Sequence, residues 1–421
     1  MKRESVLTSH RTALPPDFEA PMTDARQHST TTPRVAAFDA WIRSQFVDLN
    51  TALEDLYAQQ GNRSNVDGIG DDLKANLLEA GRDLIVPILE EGNTDEGFDL
   101  AFELLGNVGY YMAACRRHEI TEPSRERTSP LVEASTLALH LGATLGTAPR
   151  FVTSHMETYN RAVNGRYRTF TWREAETTFL DYNTRSAFKY MRAADALGHI
   201  HPMGVSHPAV HDLLIVAKDA LTDALTMNTE LGQVLDVDEF FFCVRPYYRP
   251  HRVGSTEYRG ANAGDFAAFN QIDMLLGLCS PTDLSYNQVV AEKFPYLTPS
   301  EQQQLRAAYR HPNLLDTFLG QQASSDQPWF QKHAAAFLDV CTAHGAAAAQ
   351  HHDDLVANFI QRPADGIPPE HLDGLTASGP PLSILLQALE GLRDRRLAAD
   401  RDDIPTRHTD VAALRKLLTP Q

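Results

Sequence analysis

The chain of 421 residues has little cysteine and no long apolar run. Its four cysteines are Cys115, Cys243, Cys279 and Cys341, and no two have the spacing of a CxxC pair or a zinc ribbon. This usage indicates buried thiols in a reducing compartment. No apolar run approaches the roughly 20 residues that span a bilayer, and no N-terminal run resembles a signal peptide. We therefore expect a cytoplasmic protein that does not enter a membrane.

Several signatures of catalysis and binding are also missing. The sequence contains no P-loop, no GxGxxG, no nucleophile elbow, and no paired ExxH motifs of a di-iron bundle. Positive charge is scarce as well, because the formal net charge is −17. A strongly acidic chain argues against nucleic acid as the partner. What remains is a small-molecule site or a purely structural role.

Helical periodicity accounts for most of the chain. Residues 1–34 are rich in Ser, Thr and Pro, which favours a disordered polar arm. From Val35 onward, apolar residues recur at three- and four-residue spacing. Further helices are predicted over 72–91, 97–117, 130–146, 172–195, 207–229, 262–279, 299–310, 330–361 and 380–398. Thr298-Pro299-Ser300-Glu301 has the pattern of a capped helix start.

Stretches in which apolar and polar residues alternate, as in a β-strand, are scarce. RYRTFTW at 166–172 is the best candidate for a short strand or hairpin. We therefore predict an all-α fold. GHIHPMG breaks the helical pattern near residue 200. This break indicates a smaller N-terminal helical subdomain over 35–200 and a large helical domain over 201–421.

A histidine doublet on the predicted helix 330–361 is a candidate ligand. On a regular helix His352 shares an apolar face with Ala348, whereas His351 shares a polar face with His344. We therefore expect His352 to be buried and His351 to be wet. An imidazole beside small residues leaves room for a flat group such as a haem with a proximal histidine. A core histidine bonded to a backbone carbonyl is the alternative.

An aromatic and basic block between residues 240 and 264 is the second candidate. Phe240, Phe241 and Phe242 precede Arg245 by about one helical turn, so the arginine can bind a carboxylate while the rings contact an aromatic ligand. The basic loop 246–252 and Arg259 suit the carboxylates of a haem or a substrate. The residues of GANAG at 260–264 are small enough for their backbone to approach a ligand closely. An amphipathic helix end, solvated loop charges and a plain turn are the alternatives.

These segments occur in the order found in a known superfamily. FFFCVRPYY (240–248) resembles its FFxxLRxY segment, YRGANAGDFAAFNQIDMLLGL (258–278) its G-S-A-G…FDxLLGI segment, FPYLTPSEQQQLRAAYRHPNLLDTFL (294–319) its RRYMPPAHRxFL…SNPSVREFVL segment, HDDLVANFI (352–360) its HxxxVxxxI helix, and PLVEASTLALHLG (130–142) its PFVEVSRxLGLPP segment. The chain thus resembles the indoleamine and tryptophan 2,3-dioxygenase superfamily. Within it, the chain is similar to the branch of monodechloroaminopyrrolnitrin synthase, from pyrrolnitrin biosynthesis.

The resemblance implies a helical haem-binding fold with the N-terminal subdomain on the distal side of the haem. It implies haem b, with His352 as the ligand of the iron. The residues expected against the haem are Arg259, Asn262, Ala263 and Gly264, and those expected against the substrate are Arg245, Phe241, Phe240 and Phe188. In two departures, TASG (376–379) stands where the superfamily has a mobile GTGG loop, and Asn262 replaces a serine beside the haem. The resemblance identifies no catalytic side chain with certainty.

The implied activity is haem-dependent oxidation or rearrangement of an aromatic amino acid, tryptophan or a derivative, in secondary metabolism. Dioxygen or peroxide is the expected oxidant. Dioxygenases of the superfamily insert both oxygen atoms into indole, whereas the pyrrolnitrin-pathway relative rearranges a chlorinated tryptophan, so the fold alone does not define the reaction. The alternatives are a non-catalytic haem-binding sensor, a hydroxylase of a tyrosine-type substrate and a helical protein without haem. Whether the chain forms a homodimer is left open.

Overall fold

A computed structural model describes residues 31–92, 97–362 and 382–418. As the sequence predicts, the fold is all-α, with one two-stranded antiparallel sheet among these residues. The helices are α1 (Pro33–Ile42), α2 (Gln45–Ala58), α3 (Asp71–Glu91), α4 (Phe98–Arg117), α5 (Val132–Leu145), α6 (Thr153–Met156), α7 (Glu174–Gly198), α8 (Ile200–Met203), α9 (Val210–Val234), α10 (Val237–Glu239), α11 (Ala267–Leu276), α12 (Leu284–Lys293), α13 (Pro299–Arg310), α14 (Leu314–Gly320), α15 (Pro328–Gln350), α16 (Leu382–Arg396) and α17 (His408–Lys416). The strands are β1 (His251–Val253) and β2 (Thr256–Tyr258).

Shorter helical segments complete the chain path. Two segments are π-helical, Phe240–Val244 and His351–Gln361, and three are 3₁₀-helical, Arg245–Tyr248, Phe294–Tyr296 and Gln322–Ser324. The predicted polar arm lies outside the described residues except for its last four positions, of which Pro33 and Arg34 already belong to α1. The TASG segment at 376–379 also lies outside the described residues.

Local side-chain chemistry fixes several helix starts. At the start of α13, Thr298 Oγ1 accepts from the Glu301 backbone N–H at 3.4 Å, while the Glu301 carboxylate accepts from the Thr298 N–H at 3.0 Å. This reciprocal capping box satisfies two backbone donors that the helix leaves unbonded. The predicted helix 299–310 is confirmed at both ends.

The predicted strand or hairpin at 166–172 is reduced to a single antiparallel bridge, in which Arg166 and Val163 exchange backbone hydrogen bonds at 3.0 Å. No strand follows it, because side chains take the backbone donors that a ladder would need. The Glu176 carboxylate accepts from the backbone N–H of Phe170 at 2.6 Å and of Thr171 at 2.8 Å. Both residues are buried, so their aromatic and β-branched side chains serve the core rather than a sheet. The observed hairpin is β1–β2, whose turn holds Gly254 at a φ of 57°.

Two hydrophobic cores support the fold. The first combines α1–α5 with Phe170 and with later residues such as Tyr247 and Phe359. The second lies among α7, α9, α11, α14 and α15, and α7 packs along α9, which in turn packs along α15. Because later segments contribute to the first core, the boundary near residue 200 stays a prediction.

Gly109 on α4 lies where the chain at Phe151 crosses the helix. A Cβ built at Gly109 would be 2.1 Å from the backbone nitrogen of Phe151. We expect Gly109→Ala to lower the free energy of unfolding by about 1–3 kcal/mol, because the crossing backbone must move. Chemical denaturation measures this change.

Gly198→Ala is the matched control, since no atom lies within 4 Å of a Cβ built there. Alanine favours helix over glycine, so this variant should keep or raise the free energy of unfolding. Equal effects of the two substitutions would contradict the close crossing at Gly109.

Candidate functional site

A cavity of about 550 Å³ lies among α7, α9, α11, α12, α15 and α16. Its volume is typical of cofactor and substrate pockets, which span roughly 300–1,000 Å³. The lining includes all five residues that the resemblance assigns to the haem and its iron: Arg259, Asn262, Ala263, Gly264 and His352. These residues are up to 93 positions apart in the sequence, between Arg259 and His352. The fold therefore brings together the residues that were predicted to contact the haem and its iron.

The histidine doublet lies where the helix changes its winding. Helix α15 continues without a break into the π-helical segment His351–Gln361, and both His351 and His352 line the cavity. Such wide turns are rare and are often found at functional sites. The predicted wet face is confirmed for His351, which is exposed, but not for His344 and Ala347 on the same face, which are buried. The prediction that His352 is buried is wrong, because its side chain is half-buried at the cavity.

His351 is exposed and lines the cavity. Desolvation by the surrounding protein, followed by the nearby charge of Arg396 and by His352, lowers the pKa of His351 to about 4. The imidazole is therefore neutral at pH 7. Both histidines consequently present imidazole groups to the cavity.

His352 differs from His351 in having a carboxylate partner. Its Nδ1 lies 2.8 Å from Asp353 Oδ1, and Arg393 on α16 donates to the same oxygen at 2.8 Å. Partial burial alone would raise the pKa of Asp353, but the hydrogen bonds from His352 and Arg393 lower it. A carboxylate on Nδ1 leaves Nε2 with its lone pair available to a metal. This arrangement is the one in which proteins hold histidine as a metal ligand.

A buried carboxylate ties together the helices behind the cavity. Asp273 on α11 accepts from Arg396 at 2.8 and 2.9 Å, from His344 at 2.7 Å and from the Tyr286 hydroxyl at 3.0 Å. Burial opposes the charge on Asp273, but Arg396 and His344 outweigh it and hold the pKa of Asp273 well below its usual range. His344 and Arg396 also line the cavity, so this ion pair fixes two of its walls.

Two basic residues of the lining differ in how they are neutralised. Arg259 donates to both carboxylate oxygens of Asp265 at 2.8 Å, and the pair forms a closed fork. Lys293 Nζ donates to the amide oxygen of Asn270 at 2.7 Å, and no ion pair to Lys293 occurs within the described residues. Burial lowers the pKa of Lys293 to about 8. An anionic group in the cavity would therefore find its complement at Lys293.

The residues expected against the substrate are not among those that line the cavity. Phe240, Phe241 and Arg245 form a buried block in which the Arg245 guanidinium lies 5.5 Å from the centroid of the Phe241 ring. The block reaches the π-helical segment through Phe240, whose ring lies 6.3 Å from that of Phe359. Phe188 is 50% exposed. Their substrate contacts stay predictions.

Sequence reasoning missed the cavity-facing side of α7. Asn183, Ser186, Ala187 and Tyr190 line the cavity, and Ser186 Oγ lies 3.3 Å from Asn228 Oδ1 on α9. Phe188, which the resemblance places against the substrate, lies on this same helix. The signal that could have found these residues is helical phase, because Ala187 and Tyr190 share a face from which Phe188 points away.

The lining fits a haem by its donor set. His352 offers Nε2 while Nδ1 contacts a carboxylate, Ala347 and Ala348 leave the helix surface flat beside it, and Lys293 provides positive charge for a haem carboxylate. The helical fold and this lining are compatible with a haem-binding protein of the all-α class.

The family model of monodechloroaminopyrrolnitrin synthase PrnB matches residues 32–418, so the chain belongs to that family. The predicted resemblance is confirmed, and the chain is a haem-dependent oxygenase of the dioxygenase-like superfamily. No curated protein sequence matches the chain. In the described ranges, no helix combines the length and hydropathy needed to cross a bilayer.

Replacing Asp273 tests the buried ion pair. Asp273→Asn keeps the shape but leaves Arg396 with an uncompensated charge, so we expect the free energy of unfolding at pH 7 to fall by about 3–5 kcal/mol. The folded-state pKa of Asp273 is depressed, so its contribution is present above the usual value of 3.8 and is lost as the pH falls below that value. Unfolding measured between pH 7 and 2 should therefore be less steeply pH-dependent in the variant.

Asp339→Asn on α15 is the control, because Asp339 is exposed. A surface change of this kind should alter the free energy of unfolding by less than about 0.5 kcal/mol. Parallel pH profiles for wild type and Asp273→Asn would argue against the assigned charge on Asp273.

Proposed function

We propose that the cavity binds haem with His352 as the iron ligand, and that the enzyme oxidises or rearranges tryptophan or a tryptophan derivative there. The observation that carries this proposal is the meeting of Arg259, Asn262, Ala263, Gly264 and His352 in one cavity. A bound haem would supply the oxidation chemistry with dioxygen or peroxide. The chain's own residues bind the cofactor and orient both it and the substrate.

His352 is favoured over His351 by its second contact. Asp353 lies at 2.8 Å, where it would accept a hydrogen bond from Nδ1, orient the ring and raise the basicity of Nε2, and Arg393 approaches the same nitrogen only at 3.3 Å. Arg393 in turn holds Asp353 from α16. His351 has no such carboxylate contact among the described residues. The metal ligand and its orienting carboxylate are thus adjacent in the chain.

Lys293 is the residue that we assign to a haem carboxylate. Arg259 is already neutralised by Asp265, whereas Lys293 contacts only a neutral amide oxygen among the described polar side chains. An ion pair in this enclosed setting favours the charged ammonium, so a bound carboxylate should raise the pKa of Lys293 from about 8. The helix α12 would then bind one edge of the cofactor.

The substrate ring has a complementary surface on α7 and α11. Tyr190 and Phe269 line the cavity with ring centroids 4.3 Å apart, which suits contact with a flat indole. Burial raises the pKa of Tyr190 to about 12, so its hydroxyl remains protonated. Ser186 and Asn228 add neutral hydrogen-bonding groups. Carboxylate binding by Arg245 and ring contacts by Phe240, Phe241 and Phe188 stay proposals from the resemblance.

The family favours a rearrangement over ring cleavage. The family model is named for monodechloroaminopyrrolnitrin synthase. We therefore propose a chlorinated tryptophan as the substrate class and haem b as the cofactor. Dioxygen or peroxide is the proposed oxidant.

Titration of apoprotein with haem tests the cofactor assignment. His352→Ala should abolish the Soret band of the complex, and His351→Ala should retain it, because only His352 has the orienting carboxylate. Lys293→Met should keep the band position and weaken haem affinity by about tenfold, or ~1.4 kcal/mol. The matched control is Lys189→Met, since Lys189 is paired with Asp223 and does not line the cavity. Loss of the band in His351→Ala with retention in His352→Ala would reverse the assignment.

Optical titration with aromatic amino acids tests the substrate assignment. L-Tryptophan and chlorinated tryptophans should shift the Soret band, and tryptamine, which lacks the carboxylate, should bind more weakly. Arg245→Gln should reduce this preference for tryptophan if Arg245 binds the carboxylate. If no aromatic amino acid shifts the band, a non-catalytic haem sensor becomes the better account.

Product analysis then separates the reactions. Reduced enzyme is mixed with the substrate panel and exposed to dioxygen or to peroxide, and the products are examined by mass spectrometry. Gain of two oxygen atoms in the indole ring indicates ring cleavage, gain of one indicates hydroxylation, and a changed skeleton without such gain indicates rearrangement. We expect rearrangement of the chlorinated substrate.

A further inference from the structure

A groove of about 470 Å³ lies between α12 and α13, separate from the cavity. Its volume is within the range of small-molecule sites, roughly 300–1,000 Å³. On one side the groove is lined by Asn287, Val290, Ala291 and Phe294, which have the spacing of one helix face. The residues of α12 that line the cavity, among them Lys293, lie on the opposite face. Helix α12 therefore separates the two sites.

Two arginines of α13 give the groove its charge. Arg306 and Arg310 are four residues apart, so they share a helix face, and both line the groove together with Tyr309. Neither arginine has an ion pair in the described part of the chain. None of the described residues that line the groove is acidic. In a chain with a formal net charge of −17, the groove is therefore a positive site without an internal counter-ion.

The floor of the groove is apolar and aromatic. Cζ of Arg306 lies 4.7 Å from the centroid of the Phe294 ring. A guanidinium on an aromatic face keeps its N–H fork at the edge, where a carboxylate can accept from it. Val290 is 1% exposed and belongs to a small core against which Phe294 packs. A flat ring in the groove would therefore contact apolar surface beside a free guanidinium edge.

A hydrogen bond connects the two helices at the groove. The Tyr309 hydroxyl on α13 donates to Oδ1 of Asn287 on α12 at 2.7 Å. Both helices also begin at capping side chains, Asp283 for α12 and Thr298 for α13. Walls that are already held in place lose little conformational entropy when a ligand binds. The groove is thus formed before any ligand enters it.

The charges around the groove select the kind of ligand. A carboxylate would complement both Arg306 and Arg310. An ammonium group in the same ligand would have no acidic partner in the described lining and would be repelled by the two guanidinium groups. The groove therefore favours an aromatic acid without an amino group over a zwitterionic amino acid of the kind proposed for the cavity.

We propose that this groove is a second ligand site, which binds an aromatic carboxylate that lacks an amino group. The ring would lie against Phe294 and Val290, and the carboxylate would accept hydrogen bonds from Arg306 and Arg310. None of these residues lines the cavity, so the proposal is independent of the haem and substrate assignments.

Calorimetric titration of the full-length protein with 2-naphthoate tests this site. We expect one saturable site with a Kd below about 1 mM, and the binding should weaken as the ionic strength rises, because the charges are exposed. Arg306→Gln and Arg310→Gln should each weaken the binding by about five- to tenfold, because each removes a charged hydrogen-bond donor. Neutral 2-naphthol should bind at least about tenfold more weakly than 2-naphthoate.

Arg192→Gln is the matched control, because Arg192 is exposed on α7 and does not line the groove. This variant should bind 2-naphthoate as the wild type does, and saturating L-tryptophan should leave the wild-type Kd unchanged. Absence of saturable binding to the wild type, or equal losses in Arg192→Gln and Arg306→Gln, would overturn the proposal. So would equal affinities for 2-naphthol and 2-naphthoate, or competition by L-tryptophan.

A crystal structure of the wild-type protein with 2-naphthoate gives a readout that needs no variant. The carboxylate should lie within hydrogen-bonding distance of Arg306 and Arg310, with the naphthalene ring against Phe294. Density for the ligand only in the cavity, or nowhere on the protein, would refute the site.

Discussion

The buried negative charge of Asp273 is the constraint on which the cavity depends. It lies on α11 and accepts hydrogen bonds from His344 on α15, Arg396 on α16 and Tyr286 on α12. Four helices therefore meet at one carboxylate that water cannot reach. Buried ion pairs contribute little net stability, but removing one partner is strongly unfavourable. The pair thus holds the cavity walls in one relative position.

The histidines that line the cavity lie where the helix changes from α-helical to π-helical winding. The π-helical winding begins at His351, directly after the last turn of α15, and both histidines line the cavity. The two histidines differ in the residues that contact them. His352 contacts Asp353, which Arg393 on α16 also binds, whereas His351 is neutral because the surrounding protein desolvates it. The helix that bears Arg396 therefore supports both the wall and the proposed ligand.

The sequence predicted the all-α class and the capped start of α13, because local patterns determine them. Motif order singled out Arg259, Asn262, Ala263 and Gly264, which share a cavity with His352. The sequence could not predict the burial of His344, because the partner that holds it, Asp273, lies 71 positions away in the sequence. Phe188 was chosen for its size, although helical phase turns Tyr190 inward. The segment 166–172 has strand propensity, but Glu176 binds its backbone donors.

Anomalous X-ray scattering at the iron edge, from crystals of the haem-loaded protein, tests the central claim most directly. The account predicts one iron peak inside the cavity, within coordination distance of Nε2 of His352 and with Asp353 still bonded to Nδ1. An iron peak next to His351, or one outside the cavity lined by Arg259, Asn262 and Lys293, would contradict it.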